Sequence, residues 1–104
     1  MVEKYYNDKG QLGVLISPGY GAGWSTWNCI ELAYDKRIVE AFLTKATAEE
    51  MVKILEENGY NDVYMGGFYD LEIQWIDKGT TFQICEYDGS EYINILSVDN
   101  CITA

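Results

Sequence analysis

The sequence predicts an α+β domain, and three observations carry that prediction. Apolar residues recur at helical spacing only in the middle of the chain, between residues 35 and 58. The C-terminal part switches to alternation with a period of two. A short β-branched run stands near the N-terminus, bounded by Gly10 and by Pro18-Gly19. Helices segregated from antiparallel strands make an α+β arrangement. The 104 residues suit a single domain, 1–104, and 48% of them are hydrophobic. That is enough for one packed core without metal or disulfide staples.

Leu12 to Ser17 reads as the N-terminal strand, with Tyr5 and Tyr6 as candidates for an earlier piece and Asp8-Lys9-Gly10 as a turn. Residues 17–28, SPGYGAGWSTWN, follow neither period and read as a glycine–aromatic loop. From 35 to 46, Ile38, Val39, Phe42, Leu43 and Ala46 share one helical face, and Asp35 is the expected N-cap. Thr47 with Glu50 forms a capping box that opens a second helix. Its buried stripe is Met51, Ile54 and Leu55, and Asn58-Gly59 stops it. Val63 to Met65 is a candidate edge strand. Leu71 to Trp75 alternates, with Leu71, Ile73 and Trp75 inward, and Asp77-Lys78-Gly79-Thr80 turns the chain. Thr81 to Tyr87 and Tyr92 to Val98 are strands joined by Asp88-Gly89, a type I′ hairpin signal. These strands are expected to form a C-terminal antiparallel β-meander, in a sheet of about four strands packed by two short helices. The predicted core is Val14, Ile16, Val39, Phe42, Leu43, Ile54, Leu55, Leu71, Ile73, Trp75, Phe82, Ile84, Ile93 and Ile95.

Composition removes much chemistry. There is no histidine, so serine–histidine and cysteine–histidine couples are excluded, as are zinc sites built on imidazole. Cys29, Cys85 and Cys101 are odd in number and widely spaced, which fits neither a disulfide framework nor a C-x-x-C site. They read as small apolar residues in a reducing compartment. Cys29 is the nucleophile nearest the unusual loop, and its neighbourhood is not basic enough to favour a thiolate. The pairs Asp70/Glu72 and Glu86/Asp88 lack EF-hand spacing. No enzyme activity, metal or other cofactor is expected. The polar N-terminus and the absence of a long apolar stretch predict a cytoplasmic protein with no membrane partner.

The loop suggests binding or packing. Pro18-Gly19 has the form of a type II turn. Gly19, Gly21 and Gly23 would let backbone N–H groups approach a ligand or form an anion-binding nest. Tyr20, Trp24 and Trp27 would stack on a planar base, while Ser25, Thr26 and Asn28 would hold polar groups. It is not a P-loop, because no Gly-Lys-Ser/Thr follows, and the third glycine is misplaced for a dinucleotide fingerprint. The structural alternative is an Ω-like loop whose tryptophans finish the core.

Charge is distributed unevenly. Seven basic residues against 17 acidic give a net charge of −10, which argues against direct binding to nucleic acid. Residues 1–54 carry seven acids and six bases, net −1; residues 55–104 carry ten acids and one base, Lys78, net −9. A field of that sign steers basic partners. Glu72, Asp77, Glu86, Asp88 and Glu91 are the candidate partner-binding acids, with Tyr87 and Tyr92 as aromatic anchors. The alternative is a solvated acidic face that only aids solubility.

The segments SPGYGAGWSTWN (17–28) and LEIQWIDKGTTFQICEYDGSEYI (71–93) resemble a family of small, mostly uncharacterised bacteriophage and prophage accessory proteins. The resemblance rests on the glycine–tryptophan loop, on Lys78-Gly79-Thr80 and on Glu86-Tyr87-Asp88-Gly89. It implies an anti-defence context, which includes anti-CRISPR proteins and sponges for nucleotide immune signals. The leading expectation is a non-enzymatic inhibitor whose acidic surface occupies the basic groove of a host nucleic-acid-binding immune protein. The alternative is a sponge holding a nucleotide-like molecule in the 17–28 loop, at a subunit interface if the chain forms a homo-oligomer. A plain structural or interaction domain is the third reading.

Overall fold

The computed structural model describes residues 2–96. They run β1 (Gln11–Ile16), 3₁₀ turns at Ser25–Trp27 and Ile30–Ala33, α1 (Lys36–Leu43) and α2 (Ala48–Glu57). A third 3₁₀ turn (Gly66–Asp70) leads into β2 (Glu72–Asp77), β3 (Thr81–Tyr87) and β4 (Ser90–Leu96). The class is α+β, with two helices and two antiparallel two-stranded sheets.

β1 is the centre of the molecule because it is apolar on both faces; Leu12 to Ile16 are all buried. On one face, Leu15 joins Trp24, Leu32, Ile38, Val39, Met51 and Leu55 under the helices. On the other, Leu12, Val14 and Ile16 join Ala33 and Ile76, and Phe82, Ile84 and Ile93 of the β3–β4 hairpin pack against them. The layers are therefore helices, the β1–β2 sheet, and the hairpin. Gly13 leaves room between them: a Cβ there would lie 3.0 Å from both Ile73 and Trp75.

This layering corrects the expected meander. β2 pairs with β1 (Gln11↔Asp77 to Ile16↔Glu72), and among the described residues β3 pairs with β4 and not with β2, so the Asp77–Thr80 turn changes layer instead of making a hairpin. Phe82, Ile84 and Ile93 find apolar cover on the second face of β1, which extending the sheet sideways would not supply. Residues Tyr5 to Asn7 lie along the other edge of β1, where Gly13 N–H donates to the Tyr5 carbonyl.

Local signals are realised closely. Asp35 caps α1 by accepting from Arg37 N–H, and the capping box between Thr47 and Glu50 has both of its hydrogen bonds. Gly59 takes the left-handed conformation that ends α2. α1 stops earlier than its apolar spacing suggests because Lys45 is left-handed (φ 61°) and the chain at once enters the next cap. Leu43 is consequently exposed, as is Ile95 at the far end of the hairpin; both were expected in the core. Val63–Met65 is not a strand. The Asn28 side chain takes the partners a neighbouring strand would, accepting from Tyr64 N–H at 2.8 Å and donating to its carbonyl at 3.1 Å. Ser97 and Val98 of the expected last strand lie outside the described residues.

Candidate functional site

The hairpin turn and the 17–28 loop form one unit. Asp88 and Gly89 both have positive φ (50° and 85°), as a type I′ turn requires. Gly21 N–H donates to the Asp88 carbonyl at 2.8 Å, Glu91 N–H to the Ser17 carbonyl at 2.8 Å, and the Ser90 hydroxyl to the Pro18 carbonyl at 2.6 Å. The approach is close: a Cβ on Gly89 would lie 2.3 Å from the Ala22 nitrogen. On the other side of the loop, a Cβ on Gly67 would lie 2.5 Å from the Gly23 carbonyl oxygen.

Glu91 is the internal pin of this unit. Its side chain is 1% exposed and accepts four hydrogen bonds: Ser17 N–H at 2.8 Å, Trp24 N–H at 2.8 Å, Thr26 N–H at 3.0 Å and the Thr26 hydroxyl at 2.6 Å. The loop does form a nest of converging N–H groups, and the anion in it is the chain's own carboxylate. Two expectations are corrected here. Glu91 does not face a partner, and Thr26 and the inward amides are not open to a ligand. Trp24 is likewise inside, with no exposure, and its indole N–H donates to the Leu32 carbonyl at 3.1 Å. Ser25 is buried with an unpartnered hydroxyl among the described residues. Trp24 thus finishes the core, as the Ω-like reading has it.

Trp27 does reach the surface. It is half-exposed, stacks on Tyr64 (ring centroids 5.6 Å, 19°), and donates its indole N–H to Glu86 at 3.2 Å. Glu86 also accepts Gly89 N–H at 2.7 Å. These two bonds, the backbone one foremost, hold its carboxyl below the usual glutamate range. Tyr20 is 75% exposed between Gly19 and Gly21. Gly19 lies against Asp70, whose carboxylate oxygen is 2.6 Å from where a Cβ would sit.

The result is a continuous rim: Asp70, Tyr20, Asp88, Glu86, Trp27 and Tyr64. Segments 17–28, 62–70 and 86–91, which build it, contain no lysine or arginine. Beside Trp27 lies a hollow of about 400 Å³, lined among others by Asn28, Tyr60 and Asp62 and again without a basic residue. The remaining predicted acids and anchors lie elsewhere. Glu72 and Asp77 are exposed on the other sheet, where Asp77 accepts from the Gln11 side chain at 3.1 Å. Tyr87 and Tyr92 are exposed but alternate out of phase with Glu86 and Glu91, so they occupy the opposite face of the hairpin.

The sequence held a signal for the two glutamates. Glu86 is in phase with Phe82 and Ile84, and Glu91 with Ile93, all read as inward-facing. Tyr64 and Asp70 lie in a second glycine–aromatic segment, YMGGFYD at 64–70, whose likeness to the 17–28 loop is the signal for them; Asp62, two residues before it, carries no such signal.

A larger cavity of about 440 Å³, lined by Val2, Glu3, Asp35, Lys36, Arg37 and Glu40, lies at the start of α1. Its charged centre is already paired. Buried Asp35 accepts from Arg37 Nε at 3.1 Å, Arg37 Nη2 at 2.9 Å and the Tyr60 hydroxyl at 2.7 Å. Burial pushes the Asp35 carboxyl up, but the bonds from Arg37 and Tyr60 outweigh it and hold the group below its ordinary value. Burial and the bond to Asp35 push the Tyr60 hydroxyl well above its ordinary value. This cluster ties α1 to the end of α2. Among the described residues, no group of three or more Cys, Asp or Glu side chains is placed to hold a metal ion, and no helix is long and apolar enough to cross a membrane. Compared with known protein families, curated proteins and solved structures, the chain matches none.

Proposed function

We propose that this chain is a non-catalytic binding protein whose acidic–aromatic rim docks on a basic surface of a nucleic-acid-binding protein. The observation that carries the reading is the rim itself: Asp70, Glu86 and Asp88 interleaved with Tyr20, Trp27 and Tyr64, without a basic residue in the segments that build it. Arginine and lysine side chains of a phosphate-binding groove would meet carboxylates in place of phosphates. The faces of Tyr20 and Trp27 offer cation–π partners, and the hollow beside Trp27 and Asp62 suits a guanidinium. Rigid aromatic anchors among charges are typical of interface centres. With the resemblance to phage accessory proteins, the reading becomes an anti-defence inhibitor acting in the cytoplasm of a bacterial host on an immune effector of the CRISPR type. The nucleotide-sponge reading has less support, because Glu91 fills the inward amides and neither the loop nor the segments that build the rim with it contain a lysine or arginine to meet phosphates.

The test is binding to purified CRISPR effectors, measured at several salt concentrations and in competition with DNA. Wild-type affinity should fall steeply with salt, and the combined variant Tyr20→Ala, Asp70→Lys, Asp88→Asn should lose binding while melting normally. Asn is chosen at 88 because the site has positive φ. Full inhibition by that variant, or tryptophan fluorescence that responds to nucleotides while no effector binds, would overturn the proposal.

A further inference from the structure

A second surface lies at the other end of the hairpin, and it points to self-association. All three charges of β3–β4 and its turn (Glu86, Asp88, Glu91) sit at the turn end; residues 81–85 and 92–96 carry none. In a chain of net charge −10, this end of the hairpin is free of the acids that would repel a second copy. Among the described residues the sheet has two strands, which is marginal alone, and β4 lacks the lysine, proline or bulge that usually protects an edge.

The geometry of the edge is specific. Across the two-residue turn, Tyr87 and Ser90 are the closing hydrogen-bonded pair, so Glu91, Ile93 and Ile95 direct their backbone groups away from β3. The bond from Glu91 N–H to the Ser17 carbonyl shows that direction in use. Beyond it, Ile93 and Ile95 have no backbone partner among the described residues. Tyr92, Ile95 and Leu96 are all exposed there.

We infer that two copies of this chain pair antiparallel through their β4 edges, about a two-fold axis at Asn94. That register sets Ile93 of each copy against Ile95 of the other, where their outward N–H and C=O groups bond, and brings Asn94 opposite itself. Tyr92 meets Leu96, and the isoleucines extend the apolar face begun by Phe82 and Ile84. The segment is self-complementary in this register, as a two-fold interface requires. The result is a four-stranded sheet. This surface is distinct from the acidic–aromatic rim, so the two readings fail independently.

Sedimentation or light scattering of the full chain over a range of concentrations tests the inference. The wild type should be a dimer. Asn94→Asp sets two carboxylates opposite each other and should weaken dimerisation about fivefold or more at neutral pH, with recovery below about pH 4 as they protonate. Asn94→Ser should remain dimeric. Ile95→Pro removes an outward N–H without touching the bonds to β3, and should abolish the dimer. A wild-type dimer indifferent to both Asn94→Asp and Ile95→Pro overturns the inference. So does a monomer at every concentration; slow amide exchange at Ile93 and Ile95 would then mean that residues 97–104 cover the edge, and fast exchange that it stays open. If Ile95→Pro fails to fold, Asn94→Asp decides alone.

Discussion

At the scale of single residues, the buried carboxylate of Glu91 concentrates the energetics. Three backbone N–H groups and one hydroxyl depend on it, and no cation stands among its hydrogen-bond partners. Removing it orphans buried donors, each of which costs about 1–3 kcal/mol when unpaired. Glu91→Ala should therefore lower stability by about 3–5 kcal/mol in urea titrations, and Glu91→Gln by less, since the amide keeps one acceptor. An alanine variant as stable as the wild type would refute the role. Ser25 is the converse case: its buried hydroxyl has no partner among the described residues, so Ser25→Ala should be neutral or slightly stabilising in the same assay. Asp35 and Tyr60, which share a hydrogen bond, contribute to the acid and the alkaline dependence of stability respectively. The folded Asp35 pKa lies below its unfolded value of 3.8, so its contribution is full above that value and is lost as pH falls through the folded one. Tyr60 is shifted upward from 10.0, so its contribution is full below pH 10 and is lost above it as the unfolded chain ionises first. Tyr60→Phe should flatten the alkaline limb of a stability–pH curve and cost about 1–2 kcal/mol at neutral pH. An unchanged alkaline limb would assign that dependence to other groups.

At the scale of elements, two glycines separate backbone strain from docking. Gly79 and Gly89 have nearly the same positive φ (89° and 85°), but a Cβ at 79 meets nothing within 4 Å while one at 89 meets the Ala22 nitrogen at 2.3 Å. Gly79→Ala should cost about 1 kcal/mol, the conformational penalty alone. Gly89→Ala should cost clearly more and loosen the hairpin from the loop, visible as faster amide exchange at Gly21 and Glu91. Equal losses at the two sites would mean that the close approach carries no energy. The same contrast explains what the sequence made legible. The capping box of Thr47 and Glu50, the Asp35 cap and the Asp88-Gly89 turn depend on residues two or three apart, and all are found where the sequence puts them. Pairing of β1 with β2 joins residues more than fifty positions apart, and nothing local distinguishes it from pairing of β2 with β3. At the candidate site, Trp27 and Glu86 were legible as separate features of loop and hairpin. Their juxtaposition was not, because a bond across 59 positions leaves no local pattern. Glu91 follows its phase and not its charge: alternation with Ile93 turns it inward.

At the scale of the whole molecule, the excess of ten negative charges should give salt opposite effects on folding and on binding. Among the described residues, ion pairs join Lys36 to Glu3 at 3.8 Å, on the surface, and Arg37 to buried Asp35 at 2.9 Å. Surface pairs of the first kind contribute little, and the second joins a half-exposed Arg37 side chain to a buried Asp35 that the Tyr60 hydroxyl also holds. Most acids therefore repel one another, and that repulsion opposes the compact state. Raising NaCl from 20 to 500 mM shortens the screening length from roughly 20 Å to about 4 Å, which relieves the repulsion while leaving Glu91 and Asp35 in place. A gain of about 1 kcal/mol, or about 4–8 °C in melting temperature for a domain of this size, is the expected result. Sodium chloride is the right salt, because sulfate would stabilise by exclusion from the surface as well. The same increase in salt should weaken docking on a basic partner, since attraction between the acidic rim and lysine or arginine is screened too. Thermal melts at one fixed protein concentration, run beside the binding titration, read both signs. A melting temperature that falls with NaCl would mean that attractive pairs outweigh the net charge, and the acidic surface would then be a stabilising network and not a strained, partner-seeking one.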